Sequence, residues 1–353
     1  MKNKAITILV MTTLALAVGT TVLAKIQMPF DSFIYCDHPR LLNFALSQSA
    51  GNLFMRKRPV KNSAKAEVDG RDIFKVMEHS GRDNLAGLAQ GPVEIPANTF
   101  VTLKLGTNFF QKPDLLSKLP ADAIDCLIVS MLSMDDSEDK LCDDSLGHLD
   151  NLTGLQAILL DRSDVTDEGM SKLGKLVNIT YISAFLTNIT GKSLKDLSNL
   201  KKLKFLSFHS TPVDGKNLVY LANFPQLAML DVTRTGIDSN AVKHIAKCAN
   251  LVSLDISDNA RINDSAVPYL ATLKKLKHLN IGNTSITFKG LKGLKGLTPR
   301  YLALPHGIAK SQFPAIQAIF PGTMLAIEGS GGRKVDDDTG TIFGVMSRDR
   351  KIK

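Results

Sequence analysis

Hydrophobic positions in the middle of the chain recur every 24 residues. The last interval is 25 because one window carries an extra residue, and the recurring positions are Leu155, Ile179, Leu203, Leu227, Leu251 and Leu276. Each window begins with apolar and polar residues in alternation, which is typical of a half-buried strand. Each window ends with apolar residues three to five positions apart, which indicates a turn and a short helix.

A strand and a short helix of this size cannot bury their own apolar faces. Stacked copies share one continuous core, so the period predicts a solenoid with parallel strands on one wall and helices on the other. Thr166 and Asn263 supply cap-type residues where two of these helices are expected to begin.

One window, Leu251-x-x-Leu254-x-Ile256-x-x-Asn259, resembles the leucine-rich-repeat signature L-x-x-L-x-L-x-x-N. The other windows have a hydroxyl side chain in place of the asparagine, as in bacterial-type repeats: Ser163, Thr187, Thr211, Thr235 and Thr284. A buried ladder of hydroxyl groups is therefore expected. The resemblance covers about residues 100–328 and implies an α/β fold, a right-handed β-α solenoid with a parallel concave sheet and short convex helices.

Four parts of the chain are predicted. Residues 1–25 are a signal peptide or membrane anchor, 26–92 an N-terminal region with a small β cap, 93–328 the solenoid with its C-terminal cap, and 329–353 a flexible tail. Residues 5–24 carry no charge, follow two lysines and are long enough, at about 30 Å, to span a bilayer. Cleavage after Ala24 is the alternative. Both alternatives predict a protein that is membrane-anchored facing the extracytoplasmic side, or secreted or periplasmic.

Side chains that flank the core positions of the strands are expected to line the open face of the sheet in columns. One column carries Tyr181, Phe205, Met229 and His278, the next Asp231 and Asp255, and the third Phe185 and His209. Aromatic residues and methionine on a solvated face favour a partner-binding surface, on which Phe205→Ala weakens binding and leaves the thermal unfolding midpoint nearly unchanged. The alternative is that these side chains pack on one another or under a neighbouring segment.

Asp231 and Asp255 are expected on adjacent strands, where two carboxylates raise each other's pKa unless a cation is near. Three interpretations stay open: contact with a basic residue of a partner, neutralisation by Arg234, and the acid and base of an enzyme. Catalysis is disfavoured because no nucleophile, metal-ligand set or phosphate loop accompanies the pair.

The composition is that of a globular protein, and not that of a disordered chain, a collagen or a disulfide-rich scaffold. The chain is 44% hydrophobic and 22% charged, which is ordinary globular composition, and its net charge is +9. Acidic residues cluster in 135–144 and basic residues in 274–300, which suits weak head-to-tail self-association or docking on an anionic envelope surface. The basic run from Arg56 to Lys65 has no stacking aromatics at a recognisable spacing, so nucleic acid is not a predicted partner.

No metal or cofactor is predicted. The four cysteines form no Cys-x-x-Cys pair and the seven histidines no zinc-type spacing. The acidic loop departs from an EF-hand at Lys140 and Leu146. A bridge between Cys126 and Cys142 stays open, and Cys248 falls on a core position.

These patterns predict a non-catalytic, exported or membrane-tethered leucine-rich-repeat protein that binds a protein or cell-envelope component on its concave sheet. One alternative is an envelope scaffold that self-associates. The other is an enzyme with its chemistry in residues 26–92.

Overall fold

A sheet of twelve strands runs through the computed structural model, which describes residues 33–57, 85–131 and 140–327. A separate antiparallel pair joins β1 to β4. The strands are β1 (Arg40–Asn43), β2 (Gly51–Lys57), β3 (Leu85–Leu88), β4 (Pro92–Ile95), β5 (Thr99–Leu105), β6 (Cys126–Ile128), β7 (Ala157–Leu159), β8 (Tyr181–Ser183), β9 (Phe205–Ser207), β10 (Met229–Asp231), β11 (Ser253–Asp255), β12 (His278–Asn280), β13 (Tyr301–Leu304) and β14 (Met324–Ile327).

Strand register reproduces the period of the sequence. From β5 onward each strand pairs in parallel with the next one along the chain. Tyr181 pairs with Phe205, Phe205 with Met229 and Met229 with Ser253. The predicted β-α solenoid with a parallel sheet is therefore confirmed.

Short helices form the second half of the repeats. The α-helices are α1 (Thr107–Gln111), α2 (Leu141–Leu146), α3 (Asp167–Ser171), α4 (Ser239–Ile245), α5 (Val267–Leu270), α6 (Phe288–Lys292) and α7 (Phe313–Ile319), and 3-10 turns occupy Pro113–Leu116, Gly147–Leu149, Lys172–Lys175, Lys192–Lys195, Gly215–Asn223, Asp264–Ala266 and Lys310–Gln312. The predicted caps form, because the Thr166 and Asn263 side chains accept hydrogen bonds from the next turn.

The core lies between the strands and the helices. All six recurring leucine and isoleucine positions, from Leu155 to Leu276, are fully buried. Each contributes about 1.5–3 kcal/mol by leaving water. Because every repeat presents the same position to its neighbours, this row of side chains is continuous along the solenoid.

The expected hydroxyl ladder follows each strand. Thr211 and Thr284 donate to the carbonyl oxygens of Ala184 and Ile281, both at 2.7 Å, and Asn259 donates to three carbonyls at 2.8–3.0 Å. The residue before each ladder position has a left-handed backbone, with φ between 51° and 56°; these residues are Arg162, Leu186, Ser210, Arg234, Asp258 and Asn283. We call this row the rim.

A second ladder of aspartates joins consecutive helices. Asp143 accepts hydrogen bonds from the backbone and hydroxyl of Thr166, and Asp264 does the same for Thr287 at 2.7 and 2.6 Å. Asp167 accepts from Thr190 and Ser193. Asp143 is 2% exposed and lies in α2, so the acidic cluster predicted over 135–144 is not a surface loop at this residue.

The N-terminal strands close the first end of the solenoid. β2 pairs antiparallel with β5 and extends the sheet. The buried Arg40 of β1 pairs with Asp125 at 3.2 Å and donates to the Thr99 carbonyl at 2.7 Å. This ion pair fastens the N-terminal region to the first repeats.

Several sequence-based predictions lie outside the described residues. They concern residues 1–25, the tail 329–353, the basic residues Arg58, Lys61 and Lys65, and the acidic residues Asp135, Asp136, Glu138 and Asp139. Within the described ranges, no helix combines the length and apolar character needed to cross a bilayer.

Candidate functional site

The open face of the sheet carries a second apolar cluster, separate from the main core. It consists of Phe100, Cys126, Ile128, Ala157, Leu159, Tyr181, Phe205 and Met229. These residues alternate along the strands with core residues such as Ile158 and Leu206, so they lie on the opposite face. Phe205 and Tyr181 stack with ring centroids 4.1 Å apart.

Burial of this face differs from the expectation of a solvated surface. Tyr181, Phe205 and Met229 are each 1% exposed, and His209, Asp231, Asp255 and His278 are at most 3% exposed. Only Phe185 of the eight predicted site residues is half-buried. The structure therefore places seven of the eight predicted residues in a buried face, where Tyr181 stacks on Phe205 and His278 on Tyr301.

An N-terminal segment, Phe33–Cys36, covers part of the face. Phe33 and Tyr35 lie 5.1 and 5.8 Å from the Phe100 ring. The Ile34 backbone N–H donates to Gln156 Oε1, and Gln156 Nε2 donates back to the Ile34 carbonyl, both at 2.7 Å. A side-chain amide thus pairs with the segment as a neighbouring strand would.

A ladder of polar groups runs along the same face beside the aromatic column. Ser183 donates to Asp161 at 2.6 Å, Ser207 to Asp231 at 3.3 Å, and Asn280 to Asp255 at 2.8 Å. The structure therefore gives each of these buried carboxylates a hydroxyl or amide donor.

His209, and not Arg234, lies beside Asp231. The His209 ring nitrogen Nδ1 lies 3.7 Å from Asp231 Oδ2, whereas Arg234 pairs with Asp258 at 3.3 Å. Burial opposes ionisation of Asp231, but the nearby His209 ring and the Thr233 backbone N–H, which donates to Asp231 Oδ1 at 2.9 Å, hold the pKa of Asp231 below its ordinary value. Neutralisation by Arg234 is therefore wrong.

The neighbouring carboxyl groups shift the other way. Burial raises the pKa of Asp255, and the charge of Asp231 adds to the rise. Burial also raises the pKa of Asp161. The expected repulsion within the Asp231 and Asp255 pair thus acts on Asp255, while Asp231 stays ionised.

His278 and Phe185 occupy opposite ends of the predicted set. Burial lowers the pKa of His278 to about 4, helped by the charge of Arg300, so its ring is neutral near pH 7. Phe185 contacts the His209 ring edge-on at 5.0 Å, and the Arg162 guanidinium lies 5.5 Å from its centroid. Phe185 therefore connects the buried face to the rim.

The polar ladder does not have the geometry of a nucleophilic site. The Ser207 hydroxyl donates to Asp231 and accepts from the His209 backbone N–H at 3.3 Å. A nucleophilic hydroxyl must reach a substrate, whereas Ser207 is fully buried and its bond to Asp231 is long, at 3.3 Å. These contacts are those of a structural network.

One family model, described as Leucine Rich repeat, matches residues 247–271. The matched residues include β11, α5 and the Leu251–Asn259 signature, in the same register as the stacked strands. The stacked repeats therefore have the leucine-rich-repeat fold, and residues 247–271 match the family's own repeat.

Three solved structures are distantly similar to this leucine-rich-repeat protein. An internalin of Listeria monocytogenes (inlF) has 20% identity over 61% of this chain and 63% of its own, with a TM-score of 0.42. Internalin C2 of the same organism has 24% identity over 53% and 79%, with a score of 0.40. TLR13, solved as a complex with ssRNA13, has 17% identity over 64% and 35%, with a score of 0.43. The chain thus spans less than two thirds of the inlF chain.

No curated protein matches the leucine-rich-repeat chain.

All four cysteines of the leucine-rich-repeat chain lie in the described residues and are free. Cys126 belongs to the cluster on the open face and Cys142 to the main core, so the two do not form the disulfide that the sequence left open. Cys248 is buried, as predicted, and burial raises the pKa of its thiol to about 12.

Exposed charge follows the sequence prediction at one end. Lys274, Lys275, Lys289, Lys292 and Lys295 are exposed, and Arg300 joins them. At the other end Asp144 pairs with Lys172 at 3.5 Å. The described part of the acidic cluster, Asp143 and Asp144, is thus already engaged within the chain.

Sequence reasoning missed three members of the face. Phe100, Cys126 and Ile128 extend the apolar columns onto β5 and β6. Their signal was present, because Val101 and Leu103 begin the same alternation before the first full window. Phe33, Tyr35 and Gln156 carry no repeat signal.

Proposed function

We propose that this leucine-rich-repeat protein is a non-catalytic recognition module that works outside the cytoplasm. Its sheet face and rim bind a protein or cell-envelope component that presents an extended segment. The uncharged stretch Ala5–Ala24 supports export or tethering. The fold supports recognition, because stacked repeats present one row of side chains after another at a spacing of about 4.8 Å.

Docking of Phe33–Cys36 carries the proposal. This short extended segment lies on the open face with two aromatic rings against Phe100 and a two-way amide pairing with Gln156. The same combination of backbone pairing and alternate side-chain contacts recognises extended peptides on other sheets. The face of this protein therefore suits an extended peptide.

The rim supplies the part of the surface that a partner meets first. Leu186 is 44% exposed, and the Arg234 side chain is 54% exposed. Behind them, Phe185 and His209 lead to Asp231 on the face. On the rim, Leu186 lies between Arg162 and Arg234. An apolar side chain flanked by these two basic residues suits a partner segment with apolar and acidic residues.

The buried residues of the face give this surface rigidity. Tyr181, Phe205 and Met229 pack on neighbouring strands and hold them in register. His209, which lies beside Asp231, contacts the Phe185 ring and holds it in place. A rigid surface reduces the conformational-entropy cost of binding, because its side chains are already ordered before the partner arrives. In this proposal the predicted residues Asp255 and His278 belong to the same rigid base.

Replacement of Leu186 by aspartate tests the proposal on the rim. Affinity capture from envelope extracts with the full-length protein would identify a retained component, and Leu186→Asp is expected to lower its binding about tenfold or more. Val177→Asp is the matched control, because Val177 lies in the same repeat, at the opposite end of β8, and is also 44% exposed.

Equal binding by the wild type and Leu186→Asp, with Val177→Asp unchanged, would contradict the proposal. Loss of binding in both variants would place the contact elsewhere. Sedimentation of the protein without extract separates a retained partner from self-association of the chain.

A further inference from the structure

Four side chains with metal-ligand atoms meet at the edge of the N-terminal region. Cys36, Asp37 and His38 come from the segment that precedes β1, and Asp122 comes from the loop before β6. Cys36 Sγ lies 3.5 Å from both ring nitrogens of His38 and 3.7 Å from Asp122 Oδ2. His38 Nε2 and Asp122 Oδ2 are 3.0 Å apart.

These three distances are close to those between the donors of a tetrahedral ion, which would bind after a rotation of the exposed His38 ring, because Cys36 Sγ is equally near both ring nitrogens. Zinc bonds of about 2.3 Å to sulfur and about 2.0–2.2 Å to nitrogen and oxygen place tetrahedral donor atoms about 3.3–3.6 Å apart. Of the observed separations, 3.5 Å lies inside that range, 3.7 Å just above it and 3.0 Å below it. We propose that Cys36, His38 and Asp122 bind a divalent transition-metal ion, zinc by preference, with the fourth position open to water.

The type of donor favours zinc over calcium or magnesium. A thiolate and an imidazole are soft and borderline ligands, which select zinc and its neighbours, whereas calcium and magnesium need a shell of oxygen atoms. This site goes beyond the sequence prediction, because its donors come from positions 84 to 86 residues apart and form no local motif.

Asp37 occupies the position of an outer-shell ligand. Its carboxylate Oδ1 lies 3.1 Å from His38 Nδ1, the ring nitrogen that faces away from Asp122. A carboxylate on that nitrogen fixes the tautomer that leaves Nε2 free to bind the ion.

The backbone around the donors is held by groups outside the cluster. The buried Arg40 donates to the Asp122 carbonyl at 2.5 Å and to Thr99 at 2.7 Å. The Cys36 carbonyl accepts from the Asn98 N–H at 2.6 Å. The donor segments are therefore fixed before an ion arrives, and the ion would fasten Phe33–Cys36 onto the sheet face.

Cobalt and thiol chemistry test the site on the full-length protein. Cobalt(II) is expected to give a thiolate-to-metal charge-transfer band, and zinc is expected to slow alkylation of Cys36 at least tenfold. Cys36 is the informative thiol because Cys126, Cys142 and Cys248 are buried. Burial also raises the pKa of the Cys142 and Cys248 thiols to about 11 and about 12.

Variants assign the donors. Cys36→Ser is expected to remove the charge-transfer band, His38→Ala and Asp122→Asn to weaken zinc binding at least tenfold, and Asp37→Asn to weaken it about tenfold. His148→Ala is the matched control, because His148 forms an exposed pair with Asp114 at the same 3.1 Å. It is expected to bind zinc like the wild type.

Absence of the cobalt band would overturn the proposal. So would unchanged zinc affinity in both His38→Ala and Asp122→Asn, or equal loss in His148→Ala. Thermal unfolding of the metal-free variants checks that they fold, since the His38 and Asp122 side chains are 61% and 42% exposed.

Discussion

Replacement of Phe205 by alanine is expected to lower the free energy of unfolding by about 3–4 kcal/mol. The ring is 1% exposed and stacks on Tyr181 at 4.1 Å, so its removal leaves a cavity and also removes a ring contact. The sequence pattern predicts a nearly unchanged thermal midpoint for this variant, because it places the ring in solvent. Burial of the face reverses that expectation.

Chemical denaturation of wild-type and variant protein measures the effect. Val177→Ala, at a position that is 44% exposed, is the control and is expected to change stability by less than about 0.5 kcal/mol. Combining Phe205→Ala with Tyr181→Ala is expected to cost less than the sum of the single variants, since the two rings share one contact. A decrease in the free energy of unfolding of less than about 1 kcal/mol for Phe205→Ala would indicate that the ring is exposed to solvent, and would contradict the packed face.

Replacement of Gly290 by alanine is expected to lower stability by about 2 kcal/mol, although alanine is the better helix former. Gly290 lies inside α6, where helix propensity alone would favour alanine by about 1 kcal/mol. An added Cβ, however, would lie 2.1 Å from Asp264 Oδ1. Asp264 is held by two hydrogen bonds to Thr287, so relief of the contact breaks the aspartate ladder.

The sign of the change in unfolding free energy distinguishes the gain in helix propensity from the clash of the added Cβ with Asp264. Asp264→Ala in the Gly290→Ala background is expected to recover part of the loss, because it removes the clashing carboxylate. Gly307→Ala is the control, since no atom lies within 4 Å of its added Cβ. A stabilised Gly290→Ala variant would show that the ladder is not rigid.

The repeat architecture could be read from the sequence because each stacked copy meets the same physical requirement. A residue such as Leu203 or Thr211 has the same neighbours in every repeat, so its period reports its environment. Registers, caps and the hydroxyl ladder follow from that periodicity. The aspartate ladder obeys the same rule, because Asp264 and Thr287 are 23 residues apart.

Features that join different parts of the chain carry no such signal. The cover formed by Phe33 and Tyr35 comes from outside the repeats, so periodicity could not show that the face is buried. The side chain that lies beside Asp231 could not be predicted from the period either, because it is set by the geometry of the turn that follows each strand. Arg234 lies on the left-handed rim and contacts Asp258, whereas His209 of the preceding repeat reaches the carboxylate.

Hydrogen exchange of the full-length protein with and without its captured partner tests the central claim most directly. Recognition on the sheet face predicts slower exchange of amides at 181–186, 205–210 and 229–234 when the partner is bound, with little change in Lys192–Lys195, Gly215–Asn223 and α4. Slower exchange confined to those helical segments would place the partner on the opposite wall and contradict the account.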